Sequence, residues 1–190
     1  MKVKRLAIVA CGSMLFGAPP ALAQAAEGGG QAAAGGPSDP QIAAIVVSAN
    51  KVDIDAAKVA QKQSKNQEVK EFADTMVRDH ESVNKQAQAL VKKLKVKPQP
   101  NPTSKSLETG GKDNIKALKK LKGAAFDKAY AEHEVAYHQQ VLDAINNTLI
   151  PSAKNPELKG LLEKVVPAFQ AHLDHAKKLE STLTSGGGAK

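Results

Sequence analysis

Apolar side chains recur at spacings of three and four residues along four stretches of this chain, and no stretch alternates apolar and polar residues as a half-buried strand would. The first row is Ile42, Val46, Ala49, Asp53, Ala56, Ala60, and the second is Val69, Ala73, Met76, His80, Val83, Ala87, Leu90, Leu94. The third is Ala131, Val135, His138, Leu142, Ile145, Leu149, and the fourth is Leu158, Leu162, Val165, Phe169, His172, Ala176, Leu179, Leu183. Each row lies along one face of a helix. A chain with four such stripes and nothing else to bury them against folds as an all-α helical bundle.

Capping residues divide the bundle. Ser38 is placed to cap helix 1, with Pro40 in the first turn and Gln41 three residues after the cap. Asn66 is the cap expected for helix 2, and Asn155, followed by Pro156 and Glu157, for helix 4. Helix 3 is expected to begin near Gly123 to Ala125 and to end before Pro151. Between helices 2 and 3 the connection from Val96 to Lys122 carries Pro98, Pro100, Pro102 and Gly110-Gly111, and the spacing of Ile115, Leu118 and Leu121 predicts a short amphipathic helix over 112–121. Such a connection can cross the length of a bundle, and a plain up-down-up-down chain with a large end loop is the alternative. A gap-free repeat at an offset of 89 residues places Lys65-Asn66-x-Glu68-Val69-Lys70 on Lys154-Asn155-x-Glu157-Leu158-Lys159, as two related hairpins would.

The ends of the chain speak to its compartment. Lys2, Lys4 and Arg5 precede an apolar run, Leu6 to Ala18, which closes on Ala21-Leu22-Ala23, the pattern of a secretory signal over 1–23 with an A-x-A cleavage site. The periplasm or cell envelope is therefore expected, with no transmembrane span. A rival reading takes Ile8-Val9-Ala10-Cys11 as a lipoprotein signal box anchored through Cys11, although only five apolar residues precede that cysteine. Cleavage after Ala23 removes the one cysteine, and with it disulfides, thiolate metal sites and cysteine nucleophiles. It also lowers the formal charge from +8 to +5 and leaves Arg78 as the last arginine. With five aromatic residues besides, nucleic acid is excluded as a partner, because forked phosphate contacts and stacking platforms are both poorly supplied. Residues 24–38 read as a Gly/Ala linker and 185–190 as a disordered tail around a single bundle over 39–184.

Three of the four rows carry a histidine. His80 lies 14 residues past Asn66, His172 lies 17 past Asn155, and His138 lies 17 before it. At a rise of about 1.5 Å per residue, all three sit mid-helix at one height. Asp53 in the first row, 13 residues before Asn66, shares that height, and Glu134 lies one turn before His138 on its face. His80, His138, His172, Asp53 and Glu134 therefore form a candidate metal site, with donors suited to zinc, iron, copper or nickel. A buried His/carboxylate network without metal uses the same residues, and would fit a structural module that meets some envelope partner. His133 and His175 flank the seams, and Asp79 and Asp174 cannot share a helix face with the histidines that follow them. No Gly-x-Ser-x-Gly elbow, P-loop or dinucleotide fingerprint occurs. The Glu-x-x-His pairs of di-iron bundles are missing too: three residues before His80, His138 and His172 stand Val77, Val135 and Phe169.

The set Asn66-x-Glu68-Val69-Lys70, Phe72-Ala73, Met76-Val77-x-Asp79-His80, Phe126-Asp127-x-x-Tyr130, His138 and Asn155-Pro156-Glu157-Leu158-Lys159 with His172 resembles a large bacterial family of exported proteins, domain of unknown function 4142, over roughly residues 40 to 180. The resemblance implies a ferritin-like antiparallel four-helix bundle after a signal peptide, with no established reaction. The family's aspartate-histidine pair carries onto Asp79 and His80, and its later histidines onto His138 and His172. This chain departs from the family in helix 1, where Asp53 and Asp55 replace glutamates, and before His138, where Ala136-Tyr137 replaces an acidic neighbour. The outer-membrane label often attached to the family does not match these residues, which contain no lipid-facing β-barrel pattern.

Overall fold

The computed structural model describes residues 35–185. The expected signal peptide, residues 24–34 of the linker and residues 186–190 of the tail lie outside them, while Ser185, expected in the tail, ends the last helix. Five helices follow one another: α1 (Asp39–Gln63), α2 (Gln67–Lys93), α3 (Pro102–Leu118), α4 (Gly123–Ala144) and α5 (Pro156–Ser185), with no strand among the described residues. No described helix is long and apolar enough to cross a membrane.

The expected caps form. Asn66 Oδ1 accepts from the backbone N–H groups of Glu68 and Val69 at 2.9 and 3.3 Å, and Asn155 Oδ1 from those of Glu157 and Leu158 at 2.9 and 3.2 Å. Each such cap stabilises its helix by about 1 kcal/mol. At the start of α1 the Ser38 backbone N–H donates to Gln41 Oε1 at 2.9 Å. α2 closes with Val96 N–H donating to Val91 O and Lys95 N–H to Lys92 O, a Schellman motif in which Lys95 takes the left-handed conformation at φ 53°.

Hydrogen bonds between chain segments fix the direction of each helix. Gln99 N–H donates to Pro40 O at 2.9 Å and Asn101 Nδ2 to Gln41 O at 3.1 Å, so the chain leaving α2 is back at the start of α1. From there α3 runs beside α1, and Gln63 Nε2 at the far end of α1 donates to the Leu118 and Leu121 carbonyls. α4 therefore starts beside the α1–α2 turn, where Ser64 Oγ donates to Asp127 Oδ1 at 2.6 Å. α5 starts beside the beginning of α1, where Asp39 accepts from the Lys154 and Asn155 N–H groups. Thus α1 and α5 run one way and α2 and α4 the other, the two tight turns lie at opposite ends, and α3 is the crossover.

Two expectations need correction. The crossover helix is not confined to 112–121: it starts at Pro102 and runs through Gly110-Gly111 to Leu118. Asn101 caps it by accepting from Ser104 N–H at 3.1 Å, with Pro102 at the first helical position where its missing N–H does no harm. Gly111 is there for closeness, because a Cβ would stand 2.7 Å from Val52 Cγ2 on α1. The third long helix does not stop before Pro151 either. α4 passes through a π-helical turn, Ile145–Leu149, into a last turn, Ile150–Ser152. Proline cannot donate to the carbonyl four residues back and its ring crowds it; the widened turn directly ahead of Pro151 opens that space.

The core forms two apolar clusters. Toward the α1–α2 turn, Ala56, Ala57, Ala60, Ala73, Ala131 and Ala176 let the helices approach, and Phe72, Phe126 and Tyr130 fill the remaining space. Toward the other end Ile42, Ile45, Leu142, Ile145, Leu149, Leu162 and Phe169 do the filling. α1 is buried on several faces, with Ala43, Ala44, Ser48, Val52, Ile54 and Ala57 buried as well as Ile42, Asp53, Ala56 and Ala60 of its expected row, while Val46 and Ala49 of that row are half-buried, because α2, α4 and α3 all pack on it.

Candidate metal centre

Between the two apolar clusters lies a polar layer. Asp53 from α1, His80 from α2, Glu134 and His138 from α4 and His172 from α5 are exposed by only 0, 2, 0, 1 and 5%. The equal heights inferred from residue spacing hold: the three imidazole centroids are 5.3 to 5.6 Å apart. The structure brings the five residues together as two overlapping sets, His80/His138/His172 and Asp53/Glu134/His138, and within each set one ligand atom per residue lies within 4.8 Å of the others.

The three histidines are held alike. His80 Nδ1 lies 2.7 Å from Asn50 Oδ1, and Asn50 is oriented by Nδ2 donating to Val46 O at 3.0 Å, so the ring nitrogen is the donor. His138 Nδ1 donates to Glu134 O at 3.0 Å, and His172 Nε2 to Asp79 Oδ2 at 3.0 Å. These bonds set the tautomers. The lone pairs of His80 Nε2, His138 Nε2 and His172 Nδ1 are left without a hydrogen-bond partner. Asp53 Oδ2 stands 3.2 Å from His80 Nε2 and 3.4 Å from His138 Nε2, outside hydrogen-bond alignment with either, so the shorter aspartate does reach the centre. An outer nitrogen tied to a carbonyl or carboxylate with the inner one free is the arrangement that orients imidazole toward a metal.

The polar layer is costly when its atoms stand unpartnered. Seven nitrogen and oxygen atoms of these five side chains are buried and unpartnered. Each such atom costs about 1–3 kcal/mol, and the whole fold is stable by only about 5–15 kcal/mol. Protons shared between carboxylate and imidazole, buried water or a cation among them would satisfy these atoms. Burial lowers the His80 and His138 imidazoles, His138 to about 4, so both are neutral at pH 7. His172 is lowered chiefly by burial, with Asp79 pulling the other way. Burial pushes Asp53 up to about 8 and raises Glu134 well above the usual carboxylate range, with Asp53 adding to the effect. Neutral imidazole is the form a metal binds, and a divalent cation would ionise the carboxylates by displacing their protons.

Two participants escaped the sequence. Asn50 lies off the helix 1 row and was not singled out; only its position three residues before Asp53 could have drawn attention to it. Asp79 does not share a face with His80, as expected, but it turns to His172 on the neighbouring helix, a pairing that no spacing within one helix reveals. His133 stacks on Tyr137 with centroids 5.5 Å apart, and His175 meets Phe72 edge-on at 5.0 Å; neither joins the centre.

With this geometry in place, a family model described as Domain of unknown function (DUF4142) matches residues 23–179. The chain belongs to the DUF4142 family. Among curated proteins none matches the sequence. Solved structures that resemble this DUF4142 chain include a protein named CopM in its Cu(II)-bound form, at 19% identity and a TM-score of 0.60 over 76% of this chain and 98% of that one. CopM in its apo form, with a TM-score of 0.61 over 97% of that chain, and in its Ag-bound form, with a TM-score of 0.61 over 96%, are equally similar, each at 19% identity over 76% of this chain. At that identity the likeness is one of helical fold.

Proposed function

We propose that this DUF4142 chain is a ferritin-like metal-binding protein of the cell envelope, which holds one transition-metal ion between α1, α2, α4 and α5. His80 Nε2, His138 Nε2 and His172 Nδ1 are the nitrogen donors, Asp53 is the oxygen donor, and Glu134 is a further carboxylate within reach. The observation that carries this reading is the matched state of the three imidazoles: each has its outer nitrogen engaged and its inner nitrogen buried and unpartnered. Imidazole with carboxylate suits zinc, iron, nickel and copper, and Cu(II) binds such donors most tightly in the divalent series. The Cu(II)-bound form of CopM, a protein of similar fold, supports testing copper first. The role we assign is metal handling or envelope stress tolerance, with no reaction assigned to it.

The test is elemental analysis of the mature protein purified from periplasm without tag or chelator, followed by titration with Cu(II), Zn(II), Ni(II) and Fe(II). Near-stoichiometric metal, lost when His80, His138 and His172 are all changed to Ala, is the expected result. No metal as purified and none after reconstitution would overturn the reading in favour of a metal-free structural or interaction module.

A further inference from the structure

A cavity of ≈100 Å³ opens next to the polar layer, on the side away from the α1–α2 turn. Val83, Leu162, Val165 and Phe169 form its inner end, and α1 and α4 line its sides. It reaches the surface beside Thr103 of α3 and Gln140 of α4, both exposed. Part of its wall is the π-helical turn, whose first and last residues, Ile145 and Leu149, both line it. The inner polar group, Asn50, is already engaged at both amide atoms, Nδ2 donating to Val46 O and Oδ1 accepting from His80 Nδ1. Phe169, with its ring centroid 4.8 Å from that of His80, closes the cavity one ring short of the histidines.

We propose that this cavity is a binding site for a small uncharged hydrocarbon. A water molecule inside needs two to four polar partners, and the inner walls offer only Asn50, already engaged at both amide atoms. Apolar walls without partner atoms lose dispersion contacts, which a hydrocarbon restores and water does not. An engineered apolar cavity of about 150 Å³ is known to stay dry and to take up benzene or xenon. This one is smaller, but it is open at its rim, where a bound molecule can project. The inference stands apart from the metal reading, because Phe169 separates the two sites and no metal donor lines the cavity.

The experiment is titration of the full chain with benzene, followed by methyl chemical shifts. Saturable shifts at Val83, Ile145 and Leu162 are expected. Ala144→Phe, which fills the cavity from α4, should weaken binding at least tenfold, Ala49→Leu should weaken it from the α1 side, and Ala171→Phe on the exposed face of α5 should leave it unchanged. If Ala144→Phe does not fold, Ala49→Leu decides. Absence of saturable shifts in the parent chain up to the solubility limit of benzene, or unchanged affinity in the folded cavity-filling variants, would overturn the proposal, whatever the metal content.

Discussion

His172 Nε2 donates to Asp79 Oδ2 at 3.0 Å across the α5–α2 interface, and this bond leaves His172 Nδ1 bare among the other imidazoles. Asp79 is itself held by Arg78, whose Nε donates to Asp79 Oδ1 at 2.8 Å. Asp79→Ala should therefore free the ring to turn and weaken metal binding about 10–100-fold while the fold persists. Titration calorimetry compared with His172→Ala checks this: an Asp79→Ala affinity equal to that of the parent chain would mean that the ring is oriented by packing alone.

The pH dependence follows from two opposite shifts. A histidine lowered to about 4, as His138 is by burial, contributes stability that is full above its unfolded pKa of about 6.5 and is lost as pH falls through 4. A carboxyl raised to about 8, as Asp53 is by burial, contributes stability that is full below its unfolded pKa of about 3.9 and is lost as pH rises through 8. Above pH 6.5 the carboxyl dominates, so the metal-free protein should melt at lower temperature as pH rises from 6.5 to 8.5, and Asp53→Asn should flatten that slope. Metal affinity should move the other way, tightening by up to about tenfold per pH unit for one displaced proton. Thermal melts and metal titrations at four pH values read both trends.

Gly111→Ala should loosen the crossover helix. Its Cβ would stand 2.7 Å from Val52 Cγ2, and α3 would have to shift off α1. Overpacking of this kind destabilises by about 1–3 kcal/mol, which a denaturant midpoint resolves. Gly110→Ala is the control, since nothing lies within 4 Å of the Cβ it would add.

Lys95→Gly should stabilise the chain. Lys95 occupies the left-handed position after α2 at φ 53°, a conformation that costs a residue with a Cβ about 1–2 kcal/mol. A rise in melting temperature without change in metal affinity is expected.

Most of the helical architecture was legible because it rests on short-range rules. Asn66 and Asn155 cap through their own side chains, and most positions of the 3-and-4 rows are buried, with Val46, Ala49, Leu90, Leu94, Val135 and Leu183 half-buried. The heights of His80, His138 and His172 follow from counting residues at a fixed rise. What depends on contacts between distant segments was not legible. Gly110-Gly111 suggests a loop until Val52 is seen beside Gly111, and Asp79 finds His172 only once α2 and α5 pack. The burial of α1 on several faces was signalled by the apolar run from Ile42 to Val47, but which helix would cover the outer side depended on where α3 lies. The π-helical turn is a local answer to Pro151 that no apolar period records.

The polar layer is divided between the two hairpins. Asp53 and His80 come from the one formed by α1 and α2, while Glu134, His138 and His172 come from the one formed by α4 and α5, and α3 alone joins them covalently. Neither half carries a full set of donors. An ion shared among them would act as a rivet through the middle of the molecule, so the loaded chain should resist a protease that nicks the 94–101 segment and stay in one piece afterwards, while the stripped chain should part along the seam between its halves.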